Sequence, residues 1–283
     1  AISSATAPAA TVMVIQEMRA SGNFTKTLLA IVAIDDGIAL IIYGFASAIS
    51  RALLSTKEVF SISHIMLTSI TELGGSVIIG IIAGALTSQT VRRLYQREHI
   101  LIVSMGALFV IIGLAEKLHI SALLTCMSFG IYLTNFCPIA SRKIFDTIKN
   151  VTPPIFIAFF VTAGAHLRID LIPSIWGLGV VYMLARVFGK ISGASLGAMI
   201  SNADTMIKKY IGFGLLSQVG VAIGLALVVN SEFSGLGTEG QHIATVVINV
   251  LLTTTIFMEI IGPIMTRMAL LKAGEGKIPR KHR

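Results

Sequence analysis

"AIVAIDDGIALIIYGF", residues 30–45, is apolar except for two adjacent carboxylates, Asp35 and Asp36, near its middle. The chain around it is equally apolar: 54% of its 283 residues are hydrophobic, 13% are charged, and the mean hydropathy is +0.85. A water-soluble domain covers its exterior with polar groups and does not carry so much apolar surface. Long apolar runs separated by short basic loops describe an all-α polytopic membrane protein. An acid at the centre of a membrane span costs roughly 2.5–3.5 kcal/mol on insertion scales, so the pair at 35 and 36 calls for a functional reason.

Nine spanning segments are predicted, at about residues 1–18, 25–49, 63–88, 98–116, 119–138, 153–167, 174–200, 209–229 and 242–266. Successive loops alternate sides, so their basic residues can be compared. One side collects Arg19, Lys26, Arg92, Arg93, Arg97, Arg142, Lys143, Lys149, Lys208, Lys209 and the six Lys and Arg of the tail after 266. The other holds only Arg51, Lys57, Lys117 and Arg168. The positive-inside rule places the tail in the cytoplasm and Ala1 outside. The net charge of +8 is therefore read as a topology signal, not as a nucleic-acid footprint. Cys126 and Cys137 lack the neighbours of a metal site and read as small buried hydrophobes. Because Ala1 stands inside an apolar stretch, the natural protein is expected to begin earlier, with further N-terminal helices. Small residues four apart, at Gly80 and Gly84, at Gly189, Gly193 and Gly197, and at Gly220 and Gly224, read as close helix packing.

Helix rise places the buried charges. Asp36 lies ten residues beyond Lys26, about 15 Å deep, and Lys190 lies at about 16 Å from the cytoplasmic end of its own segment. Two acids and one base share a level near the midplane. Neighbouring helix positions point about 100° apart, so Asp35 and Asp36 cannot face one partner equally. One pairs with Lys190 while the other faces a water-filled cavity. For Asp35 a buried ion pair and a direct coupling role both stand, whereas Asp36 reads as the ion carrier. Arg186, one turn from Lys190, is expected in a structural ion pair with Glu72 or Glu259. His166 reads as a solvated boundary histidine.

Two segments carry signs of interruption. In "SSATAPAATV", Pro8 removes a backbone donor while Ser4 and Thr6 offer hydroxyls; in "LLSQVGVAIGLA", Ser217 and Gln218 precede Gly220. Paired interrupted spans in opposite halves point to an inverted-repeat transporter. A broken segment followed by the Asp-Asp segment mirrors a broken segment followed by the Glu259 segment. Free carbonyls at the breaks, with Thr6, can add oxygen ligands for a cation.

"SATAPA", "AIDDGIAL", "ARVFGKISGASLGA" and "GFGLLSQVGVAIGLAL", followed by "MEIIGPIMTR", together resemble the monovalent cation:proton antiporter family, in its two-aspartate branch of bacterial sodium/proton antiporters and Kef-type relatives. The resemblance spans the whole chain. It implies an antiporter fold with two crossed discontinuous helices, of which this chain holds the last nine of about thirteen helices. It further implies a core domain in two repeats, residues 1–49 and 174–268, a linker helix at 63–88, a dimerisation domain at 98–167 and a basic cytoplasmic tail at 269–283. By the same resemblance Asp36 carries the cation, Na⁺ before Li⁺ or K⁺, or the protons. Asp35 and Thr6 belong to the same site, and Lys190 compensates charge or couples protons in an electrogenic cycle. Some relatives carry an acid where this chain has Ala7. The expected protein is an inner-membrane homodimer in contact with lipid, without organic cofactor, nucleic acid or enzymatic activity.

Rival readings are separable. An intramembrane aspartyl protease needs two facing carboxylates sharing a proton, and adjacent helix positions do not face each other. A sodium-coupled organic-anion symporter would take up solute without proton movement. A Kef-type potassium efflux transporter would move K⁺.

Overall fold

Long apolar runs build a molecule whose regular elements are all helices among the described residues. The structure is a computed structural model describing residues 2–54, 62–165 and 167–276. A short 3₁₀ helix, Ile2–Ser4, is followed by α1 (Pro8–Glu17), α2 (Asn23–Leu54), α3 (Ile62–Arg92), α4 (Arg97–Lys117), α5 (Ala122–Phe136), α6 (Pro138–Ile148) and α7 (Thr152–Ala165). After the 3₁₀ turn Ile169–Leu171 come α8 (Ile172–Ile200), α9 (Thr205–Tyr210), a 3₁₀ helix Ile211–Leu215, α10 (Gly220–Phe233) and α11 (Gly237–Lys272). His166 and the end of the basic tail, 277–283, lie outside the described residues.

Each of the nine predicted segments coincides with helix, but the count of spans differs. Among the described residues five helices are long and apolar enough to cross a membrane, and up to seven if each of two bent pairs is one span. One pair is α6 with α7, bent by 61°; the other is α9 and its 3₁₀ extension with α10, bent by 45°. The loop expected at 139–152 is largely helix α6. Its apolar positions occupy one narrow face while Arg142, Lys143 and Asp146 break the run, so a hydropathy reading passes over it.

The chain divides into two compact units, one of Ala1–Ala39 with Ala163–Arg283 and one of Leu40–Thr162. In the second unit α3 packs on α5 through the predicted Gly80–Gly84 row. A Cβ at Gly80 would lie 2.4 Å from the Thr125 carbonyl oxygen, and one at Gly84 would lie 2.9 Å from the Tyr132 ring. Arg51 pairs with Glu72 at 3.5 Å in the same unit. At Gly189, Gly193 and Gly197, among the described residues, no atom of another element lies within 4 Å of a Cβ built there.

In the first unit, Val14, Met18, Phe24, Leu28, Ala198, Ile207, Ile211 and Leu270 form a buried cluster that joins the ends of α1, α2, α8, α9 and α11. The second interrupted helix approaches α8 closely because position 212 is glycine. A Cβ there would stand 2.6 Å from the Ile191 Cα and 3.1 Å from the Lys190 carbonyl oxygen. At Gly262 of α11, a Cβ would lie 2.6 Å from the Ser217 Cα. These two close approaches hold α8 and α11 against the second break.

Candidate functional site

The first break is short. The chain leaves the 3₁₀ helix after Ser4, runs extended through Ala5–Ala7, and re-enters helix at Pro8. Pro8 occupies the first helical turn, where its missing N–H costs nothing; it starts the second half-helix. The second break covers Leu216–Val219, with Gly220 opening α10. The two breaks meet. The Ala7 amide donates to the Ser217 carbonyl at 2.9 Å, and the Thr6 hydroxyl lies 3.4 Å from the Leu215 carbonyl oxygen. Backbone groups released by each interruption are thus partly satisfied by the other, as a low-dielectric setting demands.

Three predicted residues are brought together at this crossing. Lys190 Nζ lies 2.5 Å from Asp35 Oδ2 and 3.0 Å from Thr6 Oγ1. The Thr6 hydroxyl donates to the same Asp35 oxygen. Both charged side chains are largely buried, with 12% of the Lys190 side chain and 15% of the Asp35 side chain exposed. Asp36, one helix position on, has Asp35, Lys190 and the Thr6 amide as its electrostatic neighbours. Its Oδ1 is buried and has no hydrogen-bond partner among the described residues. Asp35 is therefore matched by a base and a hydroxyl, while Asp36 offers an open oxygen beside them.

Arg186 corrects the sequence reading. Its guanidinium donates to three main-chain carbonyls: Ser3, Ala5 at 2.7 Å and Ser217 at 3.2 Å. The expected carboxylate partners are engaged elsewhere or open: Glu72 pairs with Arg51, and Glu259 has a buried Oε2 without a partner among the described residues. The cause is the breaks themselves, whose unpaired carbonyls present concentrated negative potential to a buried cation. Carbonyls near the breaks, expected from the sequence as possible oxygen ligands for a cation, are here engaged by the arginine.

Sequence reasoning missed Tyr182. The Gln218 amide donates to its hydroxyl at 2.7 Å, and both Gln218 and Ser217 are fully buried. The signal was present in the spacing: Tyr182, Arg186 and Lys190 follow at i, i+4 and i+8 on α8 and present one polar face to the breaks. Ser4 stays in the short 3₁₀ helix ahead of the first break. Among the described residues no group of three or more His, Cys, Asp and Glu side chains gathers as a metal centre.

Two interrupted helices that satisfy each other's backbone around buried ionisable groups are the architecture of a secondary transporter, not of an enzyme. The chain belongs to the sodium/hydrogen exchanger family: the model of the transmembrane part of sodium/hydrogen exchangers matches residues 1–272. No curated protein matches the chain in sequence. Among solved structures it is similar to the sodium proton antiporter MjNhaP1 from Methanocaldococcus jannaschii at pH 8, with a TM-score of 0.76 and 19% identity over 96% of this chain and 69% of that one. That likeness concerns the fold. The protein is a multi-pass membrane antiporter of the cation/proton class.

Proposed function

We propose that the chain exchanges Na⁺ for protons at one site centred on Asp36, with Li⁺ and K⁺ as lesser cargo. What carries this reading is the contrast within the acid pair: Asp35 is paired with Lys190 and Thr6, while Asp36 keeps a buried oxygen without a partner. Ionised, Asp36 holds a largely dehydrated monovalent cation; protonated, it cannot. A site neutralised by either ion crosses the apolar barrier more cheaply than an empty charged one, and that difference couples the two fluxes.

The surrounding groups give the order of events. In the arrangement described, the Thr6 hydroxyl is committed to Asp35 and Lys190, so it becomes a cation ligand only when that pair loosens. Arrival of a cation at Asp36 adds a positive charge next to Lys190, weakening the Lys190–Asp35 attachment and freeing Thr6. Lys190 then competes with the cargo for the acids, which suits an electrogenic cycle. Arg186 holds the carbonyls of both breaks together through these changes. The sodium preference follows the named activity of the family and of MjNhaP1. We further infer a homodimer formed through residues 98–167, an inner-membrane location and a cytoplasmic C-terminus.

The test is Asp36→Asn in proteoliposomes of the full-length protein, with Na⁺, Li⁺ and K⁺ gradients in turn. Proton flux driven by each cation is expected to vanish while the detergent-solubilised variant keeps its elution profile and helicity. Retained cation-driven flux would remove Asp36 from the centre of the site.

A further inference from the structure

At mid-helix positions of α2, α8 and α11 the first unit carries three acids, Asp35, Asp36 and Glu259, and two bases, Arg186 and Lys190, and they do not balance pairwise. Lys190 is committed to Asp35, and Arg186 to the carbonyls of Ser3, Ala5 and Ser217. Asp36 is the proposed cargo site. Glu259 is left over, and its surroundings are specific.

Glu259 belongs to a polar stripe of α11. Thr255, Glu259, Gly262 and Thr266 follow at i, i+4, i+7 and i+11, on one helix face. Gly262 of this stripe touches the backbone of Ser217, and Thr266 lies 3.5 Å from the Gly214 carbonyl oxygen, so the face looks onto the second break. Along it, the Thr255 hydroxyl, one Glu259 carboxyl oxygen and the Ser217 hydroxyl are all buried without a hydrogen-bond partner among the described residues. Polar atoms orphaned in this way are rare in folded proteins and mark a place where something else binds.

Depth links the stripe to the cargo site. Asp36 lies thirteen residues into α2 from Asn23, and Glu259 lies thirteen residues before Lys272, where α11 ends; both distances are about 20 Å of helix. The two helix ends are joined. Glu275, just past α11, accepts from the amides of Phe24 and Thr25 at 2.8 Å each. Measured from this common end, Glu259 stands level with Asp36 on the side of the second break.

We propose that Glu259 is a second proton carrier of the exchange cycle, taking up and releasing one proton per turnover across the second helix break. A half-buried carboxylate at this depth, with no cation paired to it among the described residues, is neutralised most cheaply by a bound ion. Charged groups of the packed elements are accounted for: Arg186 and Lys190 on α8 are engaged as described, while Glu17 on α1, Lys208 and Lys209 on α9 and Glu232 on α10 make no electrostatic contact with Glu259. The choice between metal ion and proton follows from the oxygens present. Glu259 is the single carboxylate of this stripe, and among the described residues no group of three or more His, Cys, Asp and Glu side chains gathers to hold a metal ion. A proton needs a single acceptor, and the Ser217 and Thr255 hydroxyls, each donor and acceptor, supply relay positions.

This inference rests on the antiport reading, and its test separates the two. In proteoliposomes of the full-length protein, Glu259→Gln is expected to keep cation-driven exchange, because Asp36 is intact, while the proton-to-cation ratio read from reversal potentials falls by one proton and the pH dependence of the rate becomes shallower. An active Glu259→Gln variant with the wild-type ratio and pH profile overturns the proposal. Infrared difference spectra on changing pH give a second readout independent of transport. The carboxylic C=O band of Glu259 is expected to titrate in the wild type and in Asp36→Asn, and to be absent from Glu259→Gln. A wild-type spectrum with no pH-sensitive band that Glu259→Gln removes overturns it as well, whereas failure of Asp36→Asn to abolish transport overturns only the cargo-site reading.

Discussion

Asp35 and Asp36 are chemically identical and one residue apart, yet the helix turns about 100° between them and delivers one to a base and the other to an open position. Removing Lys190 therefore tests more than a salt bridge. With Lys190→Ala, Asp35 loses its partner inside a low-dielectric site, and breaking a largely buried pair by removing one member costs about 3–5 kcal/mol. A lower Tm and a changed current per transported cation are expected together; a lower Tm with an unaltered current would make Lys190 purely structural. The association of Lys190 with the Asp-Asp helix was legible beforehand because helix rise alone puts them at one depth. The role of Arg186 was not, since its partners are carbonyls exposed by backbone conformation, which side-chain identity does not encode. Counting acids and bases invited a search for a carboxylate partner, when the breaks themselves supplied the counter-charge.

The N-terminus of α2 shows how a contact distant in sequence completes an element. Its first amides receive no carboxylate from their own segment; Glu275, some 250 residues later, accepts from the Phe24 and Thr25 amides and from the Thr25 hydroxyl at 2.7 Å. Burial alone would raise the Glu275 carboxyl, but hydrogen bonds from the Thr25 hydroxyl and from the amides of Asn23, Phe24 and Thr25 outweigh it and hold the group below the usual glutamate range. A carboxyl with a depressed folded value stabilises the fold fully above its unfolded value, and the contribution fades as the pH falls through the folded one. Glu275→Ala is expected to cost about 1 kcal/mol at neutral pH, the usual loss for a helix cap. Scanning calorimetry of the solubilised protein should find a Tm gap between wild type and variant that is constant above pH 4.5 and closes below it; a gap widening in acid would contradict this capping role. Sequence pattern located the long apolar helices because each is a strong hydropathy signal. It passed over α6, whose charges interrupt the run, and it marked the interruption beside Pro8 without saying that the proline begins the second half-helix, because residue type alone does not say whether a proline ends a helix or starts one.

For the whole molecule, orientation is the property that composition addresses most directly, since the net charge of +8 is concentrated in alternate loops. Long-range assignment of sides needs no tertiary contact, only the preference of Lys and Arg for the cytoplasmic face. Helix α4 makes the test clean. Its 21 residues, Arg97–Lys117, span about 30 Å, so the segments before and after it lie on opposite sides if it crosses the membrane. Arg92, Arg93 and Arg97 flank Tyr95 in sequence, and Tyr95 is 89% exposed. His119, exposed beyond the other end, has Lys117 as its only basic neighbour in that loop. With Cys126 and Cys137 replaced by serine, a cysteine at position 119 is expected to react with a membrane-impermeant maleimide on intact cells, and one at position 95 only after the membrane is opened. The opposite pattern would invert the molecule and place the C-terminal tail outside. Labelling of both sites on intact cells would mean that α4 does not span the membrane.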